Sequence, residues 1–191
     1  MLSSIHTLGR TLGTKTLSLS LAAALVAAAL PGALHGAAPV RADAATVNCD
    51  VPDGQLAIDG EEQAMLDMLN AYRAQNGLGP VQFDEALQRA AAWKAVDMAS
   101  NRYTAHDDSF RTWDQRFRDC GYTAPYAFMA ENLAGGFPTG AQTLNQWQNS
   151  PVHNENLLDG HMNFIGIVRY HSPNANDPYG WYWVMELGSD A

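Results

Sequence analysis

The sequence predicts an α/β protein, a three-layer α/β/α sandwich around a central, mainly antiparallel sheet. Three observations lead there. Capped amphipathic segments dominate the chain before residue 160. Two later segments, 164–170 and 180–187, are apolar on both alternating faces, as strands covered on both sides are. Between them Ser172-Pro173-Asn174-Ala175-Asn176-Asp177-Pro178 is turn chemistry, which joins them as an antiparallel hairpin. Helices preceding a doubly covered sheet supply the two outer layers.

Of the 191 residues, 1–44 read as a secretory leader. Arg10 and Lys15 give a positive n-region, residues 17–30 an apolar stretch, and Ala42-Asp43-Ala44 a cleavage signal. The uninterrupted apolar run stops at Pro31-Gly32, short of the ~20 residues that a spanning helix needs. Cleavage after Ala44 leaves 147 residues: an N-terminal arm over 45–60 and one domain over 61–188, with no transmembrane segment. The formal charge is −9, and losing Arg10, Lys15, Arg41 and Asp43 leaves 19 acids against 8 bases, a net of −11. Such a surface repels phosphate backbones and anionic headgroups, which excludes nucleic acid and electrostatic membrane docking. A secreted, extracellular monomer is the expected state.

Cys49 and Cys120 are the two cysteines of a chain bound for an oxidising compartment, so a disulfide between the arm and the domain is expected. Closing that 71-residue loop is worth about 4 kcal/mol on the chain-entropy model.

Asp59 opens the first helix with Glu62 as its capping-box partner, and Met65, Leu66, Leu69 and Tyr72 recur at helical spacing before Gly77, Gly79 and Pro80 stop it. Asp84 caps a second helix whose stripe, Leu87, Ala90, Ala91, Ala95 and Met98, is small enough to lie close against a neighbour. A loop carrying His106, Asp107 and Asp108 leads to a short helix from about Arg111 to Cys120, ended by Gly121. There Arg111, Arg116 and Arg118 alternate with Asp114 and Asp119, the pattern of a salt-bridged surface face. Thr139 with Gln142 caps the next helix, which turns Leu144 and Trp147 inward and ends before Pro151. Residues 150–158 form a further helical turn with His153 and Asn156 on one face, and Asp159-Gly160-His161 turns into the hairpin.

The candidate site starts from Ala130-Glu131-Asn132-Leu133-Ala134-Gly135-Gly136, a lone acid in a small, turn-forming run. Small residues bring backbone close to backbone, which places the Glu131 carboxylate in a cleft where it needs a cationic or hydrogen-bonding partner. After the leader, His106, His153, His161, His171 and eight Lys or Arg are the groups able to serve.

Glu131-Asn132-Leu133-Ala134, Trp147 through Ser150-Pro151 with His153 and Asn156-Leu157-Leu158, Ile165-Gly166-Ile167, and the closing Tyr182-Trp183-Val184-Met185-Glu186-Leu187-Gly188 resemble the bacterial secreted branch of the CAP superfamily, or SCP-like domains. That superfamily includes cysteine-rich secretory proteins, insect venom antigens and plant pathogenesis-related proteins. The resemblance covers about residues 61–188 in the family's motif order and implies an α/β/α sandwich with a central cleft, secretion and disulfide support. It also implies that two histidines and two acids converge there, holding a divalent metal such as zinc in some members. On that pattern His106 is the first histidine, Glu131 the acid and His161, in Gly160-His161-Met162-Asn163, the second histidine, with His153 as rival ligand. Ser150 stands where the pattern places the second acid, and Asn132, Trp147, Ser150 and Asn156 are expected to line the cleft.

Two functions follow from the resemblance. One is a non-catalytic binding module for a lipid, glycan or protein partner. The alternative is a peptidase-like, metal-dependent hydrolase in which His106 and His161 hold the ion, Glu131 is the third ligand or the general base, and an open position activates water. No H-E-x-x-H pair supports the latter, and neither Ser109 nor Ser150 has a nucleophile context, so the binding module is favoured.

Overall fold

A computed structural model describes residues 49–51, 54–124 and 127–190; the leader over 1–44 and residues 45–48, 52 and 53 of the arm lie outside the described residues. Nine elements follow in order: α1 (Gly60–Gln75), β1 (Gln82–Phe83), α2 (Glu85–Asn101), α3 (Trp113–Asp119), β2 (Met129–Gly135), α4 (Gly140–Gln148), α5 (Pro151–Leu157), β3 (Phe164–His171) and β4 (Trp181–Gly188). The strands lie in the order β1-β3-β4-β2. Only β1 runs parallel to its neighbour, so the sheet is mainly antiparallel as expected.

Local sequence sets the helix starts. The Asp59 carboxylate accepts from Glu61 and Glu62 N–H at 2.8 and 2.9 Å, and Glu62 accepts from Asp59 N–H in return, which completes the capping box. Asp84 and Thr139 cap α2 and α4 through Leu87 N–H and Gln142 N–H.

Period-two alternation in the strands then makes two cores. Ile165, Ile167, Trp183, Met185 and Leu187 pack with Met65, Leu69, Leu144, Trp147 and Leu157 of α1, α4 and α5. Val168, Tyr182, Val184 and Leu133 pack on the other face against Ala91, Ala95 and Met98 of α2. The alanine stripe lets α2 sit almost on the sheet: a Cβ added at Gly166 would lie 2.2 Å from the Leu87 carbonyl carbon. These are the three layers.

Cys49 and Cys120 are joined, with Cα atoms 5.3 Å apart, inside a small third cluster with Leu87, Phe117 and Tyr122. Closing the 71-residue loop predicts that reduction lowers stability by about 2–4 kcal/mol, read as a fall in the urea midpoint. An unchanged midpoint in reductant would contradict a stabilising role for the bridge.

Two sequence expectations need correction, and one strand was not expected. The run around Glu131 is not a turn; residues 129–135 are strand β2, paired antiparallel with β4 from Met129↔Gly188 to Gly135↔Tyr182. Its Ala, Glu, Asn and Gly content is poor strand material, and pairing with the apolar β4 overrides it. The two-residue β1 went unread because two residues carry no periodicity. Finally, Arg111 and Arg116 are not on a surface face. Arg116 is fully buried and reaches Glu131 from α3, and Arg111 is buried against Asp108 and Asp119, whereas Arg118 and Asp114 do form the expected exposed pair.

Candidate functional site

The candidate site lies at the outer edge of β2, where successive side chains leave the sheet in opposite directions. Glu131 points to the α2/α3 side and Asn132 to the α4/α5 side, so one edge strand supplies two walls.

The first wall is a loop held from below by buried cations. Arg116 Nη1 donates to the His106 carbonyl at 3.0 Å, and Lys94 Nζ donates to the Asp107 carbonyl at 3.1 Å. The Asp107 carboxylate accepts from Trp113 N–H at 3.0 Å, which turns the loop into α3. This sets His106 Nδ1 at 2.7 Å from Glu131 Oε1. A carboxylate only accepts, so Nδ1 carries a proton and donates it to Glu131. Glu131 Oε2 is bound by the Arg116 guanidinium, which reaches Glu186 at 3.4 Å and Asp108 at 3.8 Å.

Glu186 faces Glu131 directly across the β2–β4 ladder and is wholly buried. Burial first, and then the Glu131 charge, push its carboxyl well above the usual range, which favours the neutral form. Burial pulls the Arg116 guanidinium down, but the surrounding carboxylates outweigh it and hold the charged form. The hydrogen bond to Glu131 raises the His106 imidazole above its ordinary value, against the opposing effect of burial.

The second wall is α5. Asn156 Nδ2 donates to Asn132 Oδ1 at 2.8 Å, Asn132 Nδ2 donates to the His153 carbonyl at 3.1 Å, and His153 Nδ1 meets Ser150 Oγ at 2.8 Å. At the helix end, Arg73 gives its Nη1 to the Leu157 carbonyl at 2.9 Å, anchoring α5 to α1. Burial, and then the neighbouring His106 charge, lower the His153 imidazole. Between the walls is a cleft of about 240 Å³ lined by His106, Trp113, Met129, Ala130, Glu131, Val152, His153 and Asn156.

Of the residues named from sequence, the structure therefore brings His106 and Glu131 together and sets His153, the rival histidine, opposite them. His161 is not among the cleft's lining residues; it is exposed, bonded to Asp159 at 2.8 Å and stacked on Phe128 at 4.1 Å. Among the four cleft candidates, only Asn156 lines the space. Trp147 is fully buried core whose Nε1 donates to the Leu133 carbonyl, Asn132 is buried behind the lining, and Ser150 holds the His153 ring. Arg116 and Glu186 were missed; the only clue was that a buried acid in an acidic chain needs a cation.

The residues do not fit a metal ion as arranged. Both Glu131 oxygens are engaged, by His106 and Arg116, and Ser150 offers a hydroxyl where an acid would be needed. Among the described residues, no group of three His, Cys, Asp or Glu is placed to hold an ion.

Residues 66–187 match the model of the cysteine-rich secretory protein family, CAP. Protein YkwD of Bacillus subtilis (strain 168) is 28% identical over 131 residues, which is 68% of this chain and 49% of YkwD. Membrane protein YlbC of the same organism is 25% identical over 107 residues, 56% of this chain and 30% of YlbC. The chain thus spans half or less of these relatives' length. Among solved structures, an outer surface protein from Borrelia burgdorferi has a TM-score of 0.61 at 24% identity, covering 70% of this chain and 97% of that one. An extracellular SCP-domain protein from Bacillus anthracis str. Ames has a TM-score of 0.58 at 20% identity, covering 70% and 45%. These likenesses establish the fold, and the match over most of the folded residues shows that the chain belongs to the CAP family.

Proposed function

We propose that the protein is a secreted, non-catalytic binding module that holds a lipid, glycan or protein segment in the cleft between the His106 loop and α5. The supporting observation is the state of Glu131. A general base needs a free carboxylate oxygen, and a metal ligand needs one turned to the ion. Here His106 takes one oxygen and buried Arg116 the other, so the acid serves to fix the wall. Trp113, Met129 and Val152 supply apolar surface, and the two histidines and Asn156 supply hydrogen bonds, the mixture typical of binding clefts. Among the described residues, no helix is long and apolar enough to cross a membrane.

An esterase and peptidase screen of the exported protein, run with and without added zinc, tests this reading beside a thermal-shift screen of lipids, glycans and peptides. Expected are no turnover and a shift for one ligand class that Val152→Asp at the cleft lip abolishes. Zinc-dependent turnover lost in Glu131→Gln would overturn it.

A further inference from the structure

We infer that the open edge of β2 at Met129–Glu131 accepts an extended, cationic peptide strand of a partner protein. This names the partner for the cleft proposed above and rests on that reading. The first observation is which way the backbone of β2 points. The Phe128 carbonyl accepts from Ser189 N–H at 3.0 Å and Gly136 N–H donates to the Trp181 carbonyl at 2.9 Å, so even-numbered residues turn toward β4. Odd-numbered residues turn their N–H and C=O groups outward. The side chains that meet them there agree with this direction: Trp147 Nε1 caps the Leu133 carbonyl at 3.1 Å, and Asn156 Nδ2 approaches the Glu131 carbonyl at 3.4 Å.

These caps blunt the C-terminal half of the edge and leave the N-terminal half open. Among the described residues, nothing bonds Met129 N–H, Met129 C=O or Glu131 N–H from the outer side, and both residues line the cleft. Unpaired donors and acceptors on a sheet edge are a template for another strand. A strand laid there alternates its side chains between the Trp113 wall and the Val152 wall.

Charge selects the occupant. Of the eight bases after the leader, Arg73, Lys94, Arg111 and Arg116 are buried, whereas among the described acids Glu62, Glu131, Glu186 and the Asp108 carboxylate are buried and most of the others are not. Of the other four bases, Arg102 ends α2, and Arg89, Arg118 and Arg169 are already paired with Glu85, Asp114 and Asp59. Asp107 and Glu155 stand exposed beside the two walls. A cationic strand is drawn to this surface and an anionic one is repelled.

The test is amide exchange of the protein with a synthetic decapeptide of alternating lysine and valine. Two further decapeptides serve as controls: the same sequence N-methylated at every residue, which blocks both edges of the strand, and a glutamate–valine version. The lysine–valine peptide is expected to slow exchange at Met129 and Glu131 by about ten-fold or more. The N-methylated copy should not protect them, and the glutamate version should bind at least about ten-fold more weakly. Binding that leaves both amides unprotected, equal protection by the N-methylated copy, or equal affinity of the glutamate peptide would each overturn the inference. So would no binding of the lysine–valine peptide, and in that case a ligand from the thermal-shift screen still supports the binding module.

Discussion

Arg116→Ala is expected to destabilise the fold by about 3–5 kcal/mol, the cost of leaving buried charge without its partner. The guanidinium is fully buried between Glu131, Glu186 and Asp108, and its Nη1 also holds the His106 carbonyl. Without it, two carboxyl groups face each other across β2 and β4 with only the His106 bond left to offset the Glu131 charge. Arg116→Lys should recover only part of the loss, because one ammonium cannot reach the sites that a planar fork spans. Urea denaturation at neutral pH and at about pH 4 separates the causes. The alanine penalty should shrink in acid, where protonation removes the carboxylate charge that Arg116 offsets. A penalty under about 1 kcal/mol at neutral pH would mean that the cluster is hydrated and contributes as a surface pair does.

Gly166→Ala is expected to be nearly as damaging. The new Cβ would lie 2.2 Å from the Leu87 carbonyl carbon and 2.3 Å from the Gln88 nitrogen, both backbone atoms of α2. A side chain can rotate away, but here the helix itself must move. That movement would break the bond from Ile167 N–H to Gln88 Oε1, now 2.7 Å. A loss of about 3 kcal/mol or more is expected, at the upper end for overpacking. Gly160→Ala is the control, since its Cβ would meet only Leu78 Cδ2 at 3.5 Å, and a change within about 0.5 kcal/mol is expected. Similar stabilities for the two variants would contradict the close seating of α2 on β3.

The layers were legible because they rest on local signals. Asp59 with Glu62, Asp84 and Thr139 announced three helix starts, and Ile165, Ile167 and Val168 announced a strand covered on both faces. β2 was not legible as a strand, since Glu131, Asn132 and Gly135 gain their extended conformation only from pairing with β4. In the site, motif order led to His106 and Glu131, which do meet. It did not reveal Arg116, whose surroundings on α3 look like an exposed charge ladder; its direction is decided by buried acids 15 and 70 residues away. Nor did it separate the roles of His153 and His161, because that depends on α5 setting His153 at the cleft while the following turn binds His161 to Asp159 and stacks it on Phe128.

The commitment of Glu131 to His106 and Arg116 underlies every role given to the cleft. A hydrogen bond to a carboxylate favours imidazolium, so His106 should titrate above its unfolded value of ~6.5. The stability it contributes is then fully present below ~6.5 and is lost as pH rises through the higher folded value. The direct measurement is an NMR titration of the His106 imidazole in the wild type and in Glu131→Gln, with His153 as an internal reference whose value is depressed by burial. Expected is a wild-type value above ~6.5 that falls to or below it in the variant, where burial, Arg116 and Lys94 act unopposed. A wild-type value at or below ~6.5, or the same value in both proteins, would contradict the His106–Glu131 pairing and return Glu131 to the pool of free acids that a hydrolase requires.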